Sequence, residues 1–161
     1  MNLVVDTGFL SSLIKINKLD LILRFFDSDQ ILIPVQVFRE LQNSPFFLHV
    51  ANLFSDTPNR DSFIQVIPVE ITPPIQFGIG EIACIELAKE RNAILLIDDK
   101  RALAYARQHG LHVFDLAQFL LACKEAKIIS VFEIKRILQE LREKDFYVFS
   151  KENERLLLSE L

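Results

Sequence analysis

Short apolar runs alternate with segments of helical periodicity along this chain of 161 residues, and this alternation restricts the fold more than any other feature. The runs lack the in-and-out polar alternation of half-solvated strands, which is typical of strands that are buried on both faces. Such strands, separated by helices, predict an α/β fold: a three-layer α/β/α sandwich around a mostly parallel sheet of about five strands. We place these strands at residues 2–5, 30–33, 63–69, 93–97 and 111–114.

Helices are predicted between and after these strands. Apolar residues recur at helical spacing over 10–26, with a break expected near Asn17. Pro34 suits the first turn of the next helix, because proline needs no amide donor there. Glycine and proline predict a loop over 72–80. The other helices are predicted at 34–41, 46–54 (followed by a second loop), 81–91, 100–109, 116–126, 130–144 and from 150 onward.

Length and composition exclude several classes of protein. The length fits a single domain over 1–161, in which 130–161 form a C-terminal helical extension. Half of the residues are hydrophobic and a quarter are charged, which is unlike a disordered protein. The apolar runs are short and the first residues do not resemble a signal peptide, so we expect a cytoplasmic protein without a membrane span. Cys84 and Cys123 are predicted to be buried thiols.

Acidic residues follow two of the predicted strands. Asp6 comes directly after the first strand, and Asp98 and Asp99 come after the fourth. The carboxyl ends of parallel strands meet at one edge of the sheet, where ligands bind in such folds. Aspartate is also a favoured helix N-cap, so capping explains Asp99 about equally well. Capping explains Asp6 less well, because Thr7 is an equally good cap. One member of the pair Asp98 and Asp99 can be the cap while the other is the functional group.

Two glutamates are further candidates. Glu81 lies in the first turn of the predicted helix at 81–91, on the apolar side of that helix. A favourable interaction with the helix dipole would explain its position. However, a carboxylate beside apolar neighbours is costly unless a cation or hydrogen-bond donors meet it. Glu40, at the edge of the apolar face of the helix at 34–41, is a weaker candidate.

The four carboxylates of Asp6, Glu40, Glu81 and Asp99 come from four separate predicted elements. If they converge, they form a site rich in oxygen atoms and without a neighbouring His or Cys. Such hard ligands favour Mg²⁺ or Mn²⁺ over zinc. Without metal the carboxylates would repel one another, and some would take up protons. With metal the site could activate water and neutralise a scissile phosphate.

Four motifs, in their order along the chain, resemble those of the PIN-domain family. They are Val-Val-Asp-Thr-Gly-Phe-Leu at 4–10, Val-Phe-Arg-Glu-Leu at 37–41, Gly-Glu-Ile-Ala-Cys-Ile-Glu-Leu-Ala at 80–88 and Leu-Leu-Ile-Asp-Asp-Lys-Arg-Ala at 95–102. The Gly-Glu and Asp-Asp forms, and the tail at 141–150, are similar to a bacterial and archaeal PIN subfamily of largely uncharacterised members. The resemblance implies that the catalytic and metal-binding residues are Asp6, Glu40, Glu81 and Asp99, with Asp98 as a further metal ligand.

The resemblance also implies an activity and partners. The activity is that of a metal-dependent endoribonuclease, which hydrolyses RNA phosphodiester bonds with Mg²⁺ or Mn²⁺. Many relatives are the toxin of a toxin–antitoxin pair, so a small antitoxin protein and a homodimer are expected as partners. Thr7, Lys100 and Arg101 are candidate substrate contacts. One member of each pair Phe25-Phe26 and Phe46-Phe47 is expected to be exposed, as part of an oligomer or partner surface.

Charge sets a limit on how such a protein would bind RNA. The chain has 18 basic and 22 acidic residues, a net charge of −4, whereas proteins that bind phosphates are usually basic. Setting aside the four proposed ligands leaves acidic and basic residues in equal number. We therefore expect weak, metal-dependent and salt-sensitive contact with RNA.

Two other functions remain open at this point. The first is a catalytically weak or inactive PIN-fold protein that acts through RNA or protein partners. The second, more distant, is a phosphotransfer domain, in which the acidic pair should follow the first strand and not a late one. The triplet Asp-Thr-Gly at 6–8 also occurs in aspartic proteases, but those are all-β folds, unlike this alternation of strands and helices.

Overall fold

A single parallel sheet organises the fold. The computed structural model describes residues 1–56, 61–72 and 76–160. Its strands are β1 (Leu3–Val5), β2 (Ile31–Pro34), β3 (Phe54–Ser55), β4 (Ile64–Ile67), β5 (Ile94–Leu96) and β6 (Val113–Phe114). Their order is β3-β4-β2-β1-β5-β6, and every pairing between them is parallel. The predicted α/β class is confirmed, with six described strands in place of about five.

Helices connect and follow the strands of this sheet. They are α1 (Thr7–Lys15), α2 (Asp20–Phe26), α3 (Val35–Gln42), α4 (Phe47–Val50), α5 (Ile79–Arg91), α6 (Lys100–Gln108), α7 (Leu116–Glu125), α8 (Val131–Asp145) and α9 (Lys151–Leu158). No helix among the described residues has the length and apolar character that crossing a bilayer requires.

The first helical segment differs from its prediction at its start. The break near Asn17 is confirmed, since Asn17 has a left-handed backbone (φ 55°) between α1 and α2. However, α1 begins at Thr7 and not at Leu10, because Asp6 caps it by accepting a hydrogen bond from the amide of Phe9 at 2.8 Å. The expectation that Thr7 competes for this cap was wrong: Thr7 lies in the first turn, where its hydroxyl is free for another partner.

The predicted helix at 46–54 is mostly something else. Only α4 is α-helical; a 3-10 turn follows at Ala51–Leu53, and then β3 pairs with β4. The rings of Phe38, Phe47 and Phe54 contact one another with centroids 5.5–5.7 Å apart, which folds this segment over α3 and brings β3 to the sheet edge. The predicted loops fall partly at 57–60 and 73–75, which lie outside the described residues.

The phenylalanine pairs do not form an exposed surface, so that expectation was wrong. Phe26 is buried and Phe25 is half-buried, because both join an aromatic cluster with Phe119. Phe46 and Phe47 are half-buried and pack against the core. In both pairs, packing against other parts of the fold covers side chains that an isolated helix would leave exposed.

A buried lysine fastens the C-terminal helix. Lys124 of α7 is 3% exposed, and its ammonium donates hydrogen bonds to the carbonyls of Leu156 at 2.7 Å, Ser159 at 2.9 Å and Leu157 at 3.3 Å. These carbonyls end α9, and a cation is favourable at the C-terminal end of a helix. α9 thus packs onto the rest of the fold through α7, whereas α8 also contacts α1, and Leu157 belongs to the same hydrophobic core as β1.

Candidate functional site

A cleft of about 370 Å³ lies at the carboxyl ends of β1 and β5. It gathers all five carboxylates that the sequence singled out, although they come from four different places in the chain. The residues that line it are Asp6, Thr7, Gly8, Glu40, Gly78, Glu81, Asp98 and Asp99.

The sheet brings the aspartates together. β1 and β5 are parallel neighbours with Val5 opposite Leu96, and the amide of Asp6 donates to the Leu96 carbonyl at 3.0 Å. Asp6 therefore leaves its strand next to the point where the chain emerges from β5 towards Asp98 and Asp99. This is the convergence that parallel strands predict.

Two glycines let the glutamates approach. A Cβ atom on Gly80 would lie 2.5 Å from Oε1 of Glu40, and one on Gly78 would meet the carboxylate of Glu81. Both positions were predicted to lie in a loop, but Gly78 is the N-cap of α5 and Gly80 lies inside its first turn. The helix starts earlier than predicted, and the missing side chains leave the space in which the two carboxylates lie.

Glu40 is oriented by a direct contact with α1. The hydroxyl of Thr7 donates a short hydrogen bond to Oε2 of Glu40. Since Asp6 and not Thr7 caps α1, the Thr7 hydroxyl is available for this contact. Thr7 thus lines the cleft and holds a carboxylate there, while its predicted contact with substrate stays a prediction.

Asp6 carries the largest electrostatic perturbation in the cleft. Its side chain is buried, and its pKa is raised from 3.8 to about 7: burial is the largest cause, the charges of Asp98 and Glu81 act in the same direction, and the hydrogen bond from the Phe9 amide opposes the shift. A carboxyl group of this kind holds a proton close to neutral pH unless a cation replaces it.

The pKa values of two other acids move in the same direction. Burial raises the pKa of Glu81, and the charges of Asp99 and Glu40 add to this shift. Burial also raises the pKa of Asp98, although hydrogen bonds from Tyr147 and Leu116 oppose the change. The charged forms of these acids are therefore unfavourable in the metal-free cleft, which favours the entry of a cation.

Asp98 and Asp99 have different structural tasks. Oδ1 of the exposed Asp99 accepts from the amide of Ala102 at 2.8 Å and caps α6. Oδ1 of the half-buried Asp98 accepts from the Leu116 amide at 3.2 Å and from the Tyr147 hydroxyl at 3.0 Å. Asp99 is the cap of this pair, and both residues line the cleft. The part of Tyr147 in this arrangement was not predicted.

The donor set fits a hard divalent cation by its chemistry. The cleft offers carboxylate oxygens and one hydroxyl, which suit Mg²⁺ or Mn²⁺. The nearest thiol, Cys84, is fully buried and its pKa is raised by burial, so it is no thiolate ligand. In the described part of the chain, however, no three His, Cys, Asp or Glu side chains are close enough to hold an ion as they stand. Binding would have to draw the carboxylates closer together.

The basic candidates lie outside the lining of the cleft. Lys100 and Arg101 are exposed in the first turn of α6, directly after Asp99. The Arg101 guanidinium lies over the ring of Phe77, 5.9 Å from its centroid, and Phe77 precedes the cleft residue Gly78. The Phe77–Arg101 pair is thus at the rim of the cleft.

The chain is similar to one family model and to a solved structure. A family model described as a PIN domain, DUF3368, matches residues 2–159. Among solved structures, the chain is similar to a PilT N-terminus domain protein from the hyperthermophilic archaeon Sulfolobus solfataricus, at 17% identity and a TM-score of 0.48, over 74% of this chain and 90% of that one. No curated protein matches the chain.

Proposed function

The chain belongs to the PIN-domain family, whose fold is generally that of nucleases, and from this premise we propose that it is a metal-dependent endoribonuclease that hydrolyses RNA phosphodiester bonds. The observation that carries the proposal is the cleft in which Asp6, Glu40, Glu81, Asp98 and Asp99 meet. The raised pKa values of Asp6, Glu81 and Asp98 mean that their charged forms are unfavourable there without a cation, and a bound cation would relieve this.

The residues of the chain prepare this site in distinct ways. The carboxylates of Asp6, Glu81 and the Asp98–Asp99 pair, with Glu40, would hold the cation. The chemistry that Mg²⁺ or Mn²⁺ supplies at such a site is Lewis-acid catalysis of phosphodiester hydrolysis. Because its pKa is raised to about 7, Asp6 is partly protonated near neutral pH without a cation, and a bound cation would displace that proton. The caps and the Thr7 hydrogen bond limit how far Asp6, Asp99 and Glu40 can turn.

The proposed cleavage reaction is tested by one carboxylate and a matched control on the same helix. Glu81→Gln is expected to lower Mn²⁺- or Mg²⁺-dependent cleavage of RNA at least about 100-fold, and chelator is expected to abolish it in the unaltered protein. Glu86→Gln makes the same change outside the cleft, where Glu86 pairs with Lys89 at 3.1 Å, and should cleave normally. Equal cleavage by the Glu81→Gln variant and the unaltered protein would refute this site.

The rim supplies the positive charge that an anionic cleft lacks. Arg101→Gln is expected to raise KM for RNA about three- to tenfold with a smaller change in kcat, and the effect should shrink at high salt. Among the described residues the guanidinium is in no ion pair, and it lies over Phe77 beside the cleft, where a phosphate could reach it. Arg136→Gln is the control, since Arg136 lines a separate groove beside Ile16 and Lys18. Identical KM values for both variants would exclude Arg101 as a substrate contact.

A second function has one observation in its favour. Within the described residues, no three potential ligands stand close enough to hold an ion without rearrangement, as expected for a PIN-fold protein that binds RNA or protein without cleaving it. Intact RNA binding with no heat of Mn²⁺ binding in calorimetry would favour this alternative.

The toxin role, the small antitoxin partner, the homodimer and the cytoplasmic location stay predictions. A neighbouring gene for an antitoxin-like protein would support the first two.

A further inference from the structure

The linker between α8 and α9 reaches the candidate active site. The hydroxyl of Tyr147 in this linker donates a hydrogen bond to Oδ1 of Asp98 at 3.0 Å. Tyr147 and Phe149 pack against the hydrophobic core, whereas Phe146 and Val148 are 88% and 67% exposed. Alternate side chains of the linker thus face the protein, and one of them, Tyr147, is hydrogen-bonded to a carboxylate of the cleft.

Both hydrogen bonds to Asp98 involve the same oxygen. Oδ1 accepts from Tyr147 and from the Leu116 amide at the start of α7. Among the described residues, no donor is hydrogen-bonded to Oδ2, although Asp98 lines the cleft. The two donors therefore fix the carboxylate through one oxygen and leave the other for a ligand.

Tyr147 is itself held from both sides. Before it, Asp145 at the end of α8 accepts hydrogen bonds from Ser12 at 2.6 Å and Lys15 at 2.7 Å. The Tyr147 amide then donates to the Leu141 carbonyl at 3.1 Å, where the left-handed Phe146 (φ 53°) turns the chain out of the helix. Its ring also contacts Phe149, with centroids 4.8 Å apart. These contacts before and after Tyr147 therefore fix the position of its phenol ring.

The helix after the linker is held in place as well. Ser150 caps α9, and Lys124 of α7 fastens the other end of that helix. The same helix α7 supplies Leu116, the second donor to Asp98. Both donors to Asp98 are thus tied to α7, one directly and one through α9 and the linker.

We propose that Tyr147 is a positioning residue of the active site, which orients the Asp98 carboxylate so that Oδ2 is presented to the bound cation. The inference rests on the proposed function, because it takes Asp98 to be a ligand of the divalent cation at that site. Tyr147 touches neither substrate nor cation in this scheme; it acts through Asp98. A role confined to fastening the C-terminal helices would need the ring but not its hydroxyl at Asp98.

The protein offers a matched pair of variants for the test, because it has only two tyrosines. Tyr147→Phe removes the hydroxyl and keeps the ring, so the variant is expected to fold. Tyr105→Phe makes the same change on α6, where the Tyr105 ring lies between Phe77 and His109. Calorimetry with Mn²⁺ at fixed pH is expected to show affinity about 10-fold weaker for Tyr147→Phe and unchanged for Tyr105→Phe. Thermal unfolding of each variant measures any general loss of stability.

A double-mutant cycle identifies the route through Asp98. In an Asp98→Asn background, Tyr147→Phe should cause no further loss of Mn²⁺ affinity, because the partner it positions is already altered. Unchanged Mn²⁺ affinity in the Tyr147→Phe variant, or an equal loss with and without the Asp98 carboxylate, would overturn the inference and leave a structural role. If the unaltered protein binds no Mn²⁺, the proposed function and this inference fail together; if it binds and Tyr147→Phe binds equally, only the inference fails.

Discussion

Asp6→Asn is expected to abolish metal-dependent RNA cleavage, with a loss of roughly 1000-fold, and yet to stabilise the metal-free protein at neutral pH. Cleavage is lost because the variant lacks the most deeply buried carboxylate of the cleft. The fold is retained because asparagine is as good an N-cap as aspartate and can accept from the Phe9 amide. Single-turnover cleavage assays give the first effect, and urea unfolding in chelator gives the second.

The stabilisation follows from the raised pKa of Asp6, about 7 against 3.8 for an unperturbed aspartate. Between these pH values the folded protein holds a proton that the unfolded chain has lost, so the free energy of unfolding falls as pH rises. The loss amounts to about 4 kcal/mol from pH 4 to above pH 7, at about 1.4 kcal/mol per pH unit. Asp6→Asn removes this loss, and its advantage over the unaltered protein should therefore grow from pH 4 to pH 8.

Two controls complete this experiment. Asp29→Asn changes an exposed aspartate before β2, and its unfolding curve should follow that of the unaltered protein at every pH. Mg²⁺ should raise the stability of the unaltered protein above pH 7 and have little effect on Asp6→Asn, since a ligand stabilises only the form that binds it. Unfolding curves of Asp6→Asn and the unaltered protein that stay parallel from pH 4 to pH 8 would contradict the electrostatic account.

Gly80→Ala is expected to lower cleavage roughly 10- to 100-fold while leaving the protein as stable as before. The added methyl group would lie 2.5 Å from Oε1 of Glu40, so that carboxylate must move. The cost to folding is small because the clashing atoms end a flexible side chain, and alanine favours a helix over glycine by up to about 1 kcal/mol. Cleavage rates and thermal unfolding, measured on the same preparation, separate the two effects.

A second substitution tests whether this loss passes through Glu40. In a Glu40→Ala background the methyl group meets no carboxylate, so Gly80→Ala should cost no further activity. A loss of the same size with and without the Glu40 side chain would mean that the methyl group acts on something else. A large fall in the unfolding temperature would instead mean that the space beside Gly80 cannot accommodate the change.

The outcome of the sequence-based predictions depended on how local each signal was. β1, β2, β4, β5 and β6 were predicted because strands buried on both faces are apolar runs. The two residues of β3 carry no such pattern, and contacts among distant phenylalanines decide their pairing with β4. The alternation of apolar runs with helical segments predicted the sheet. It could not predict β3, because β3 pairs with β4 through packing and has no apolar run of its own.

The same distinction applies to the cleft. The meeting of Asp6 with Asp98 and Asp99 was predictable, because it follows from two parallel strands that end at one edge. The glycines before Glu81 are a local signal for the role of Gly80. That role, however, depends on how closely Glu40 of α3 approaches Gly80, and the local sequence does not show this distance. Tyr147 had no local signal, since its partner lies 49 residues away and only the path of the linker brings them together.

The contact of Tyr147 with Asp98 also has a consequence for synthesis on the ribosome. Every strand of the sheet and all five cleft carboxylates precede α7 in the chain, and so they leave the exit tunnel first. The donor at Leu116 follows, and the phenol arrives only 49 residues after its acceptor. A nascent chain can thus form its sheet while the orientation of Asp98 is still incomplete, and the cleft reaches its final arrangement only after the linker between α8 and α9 has emerged.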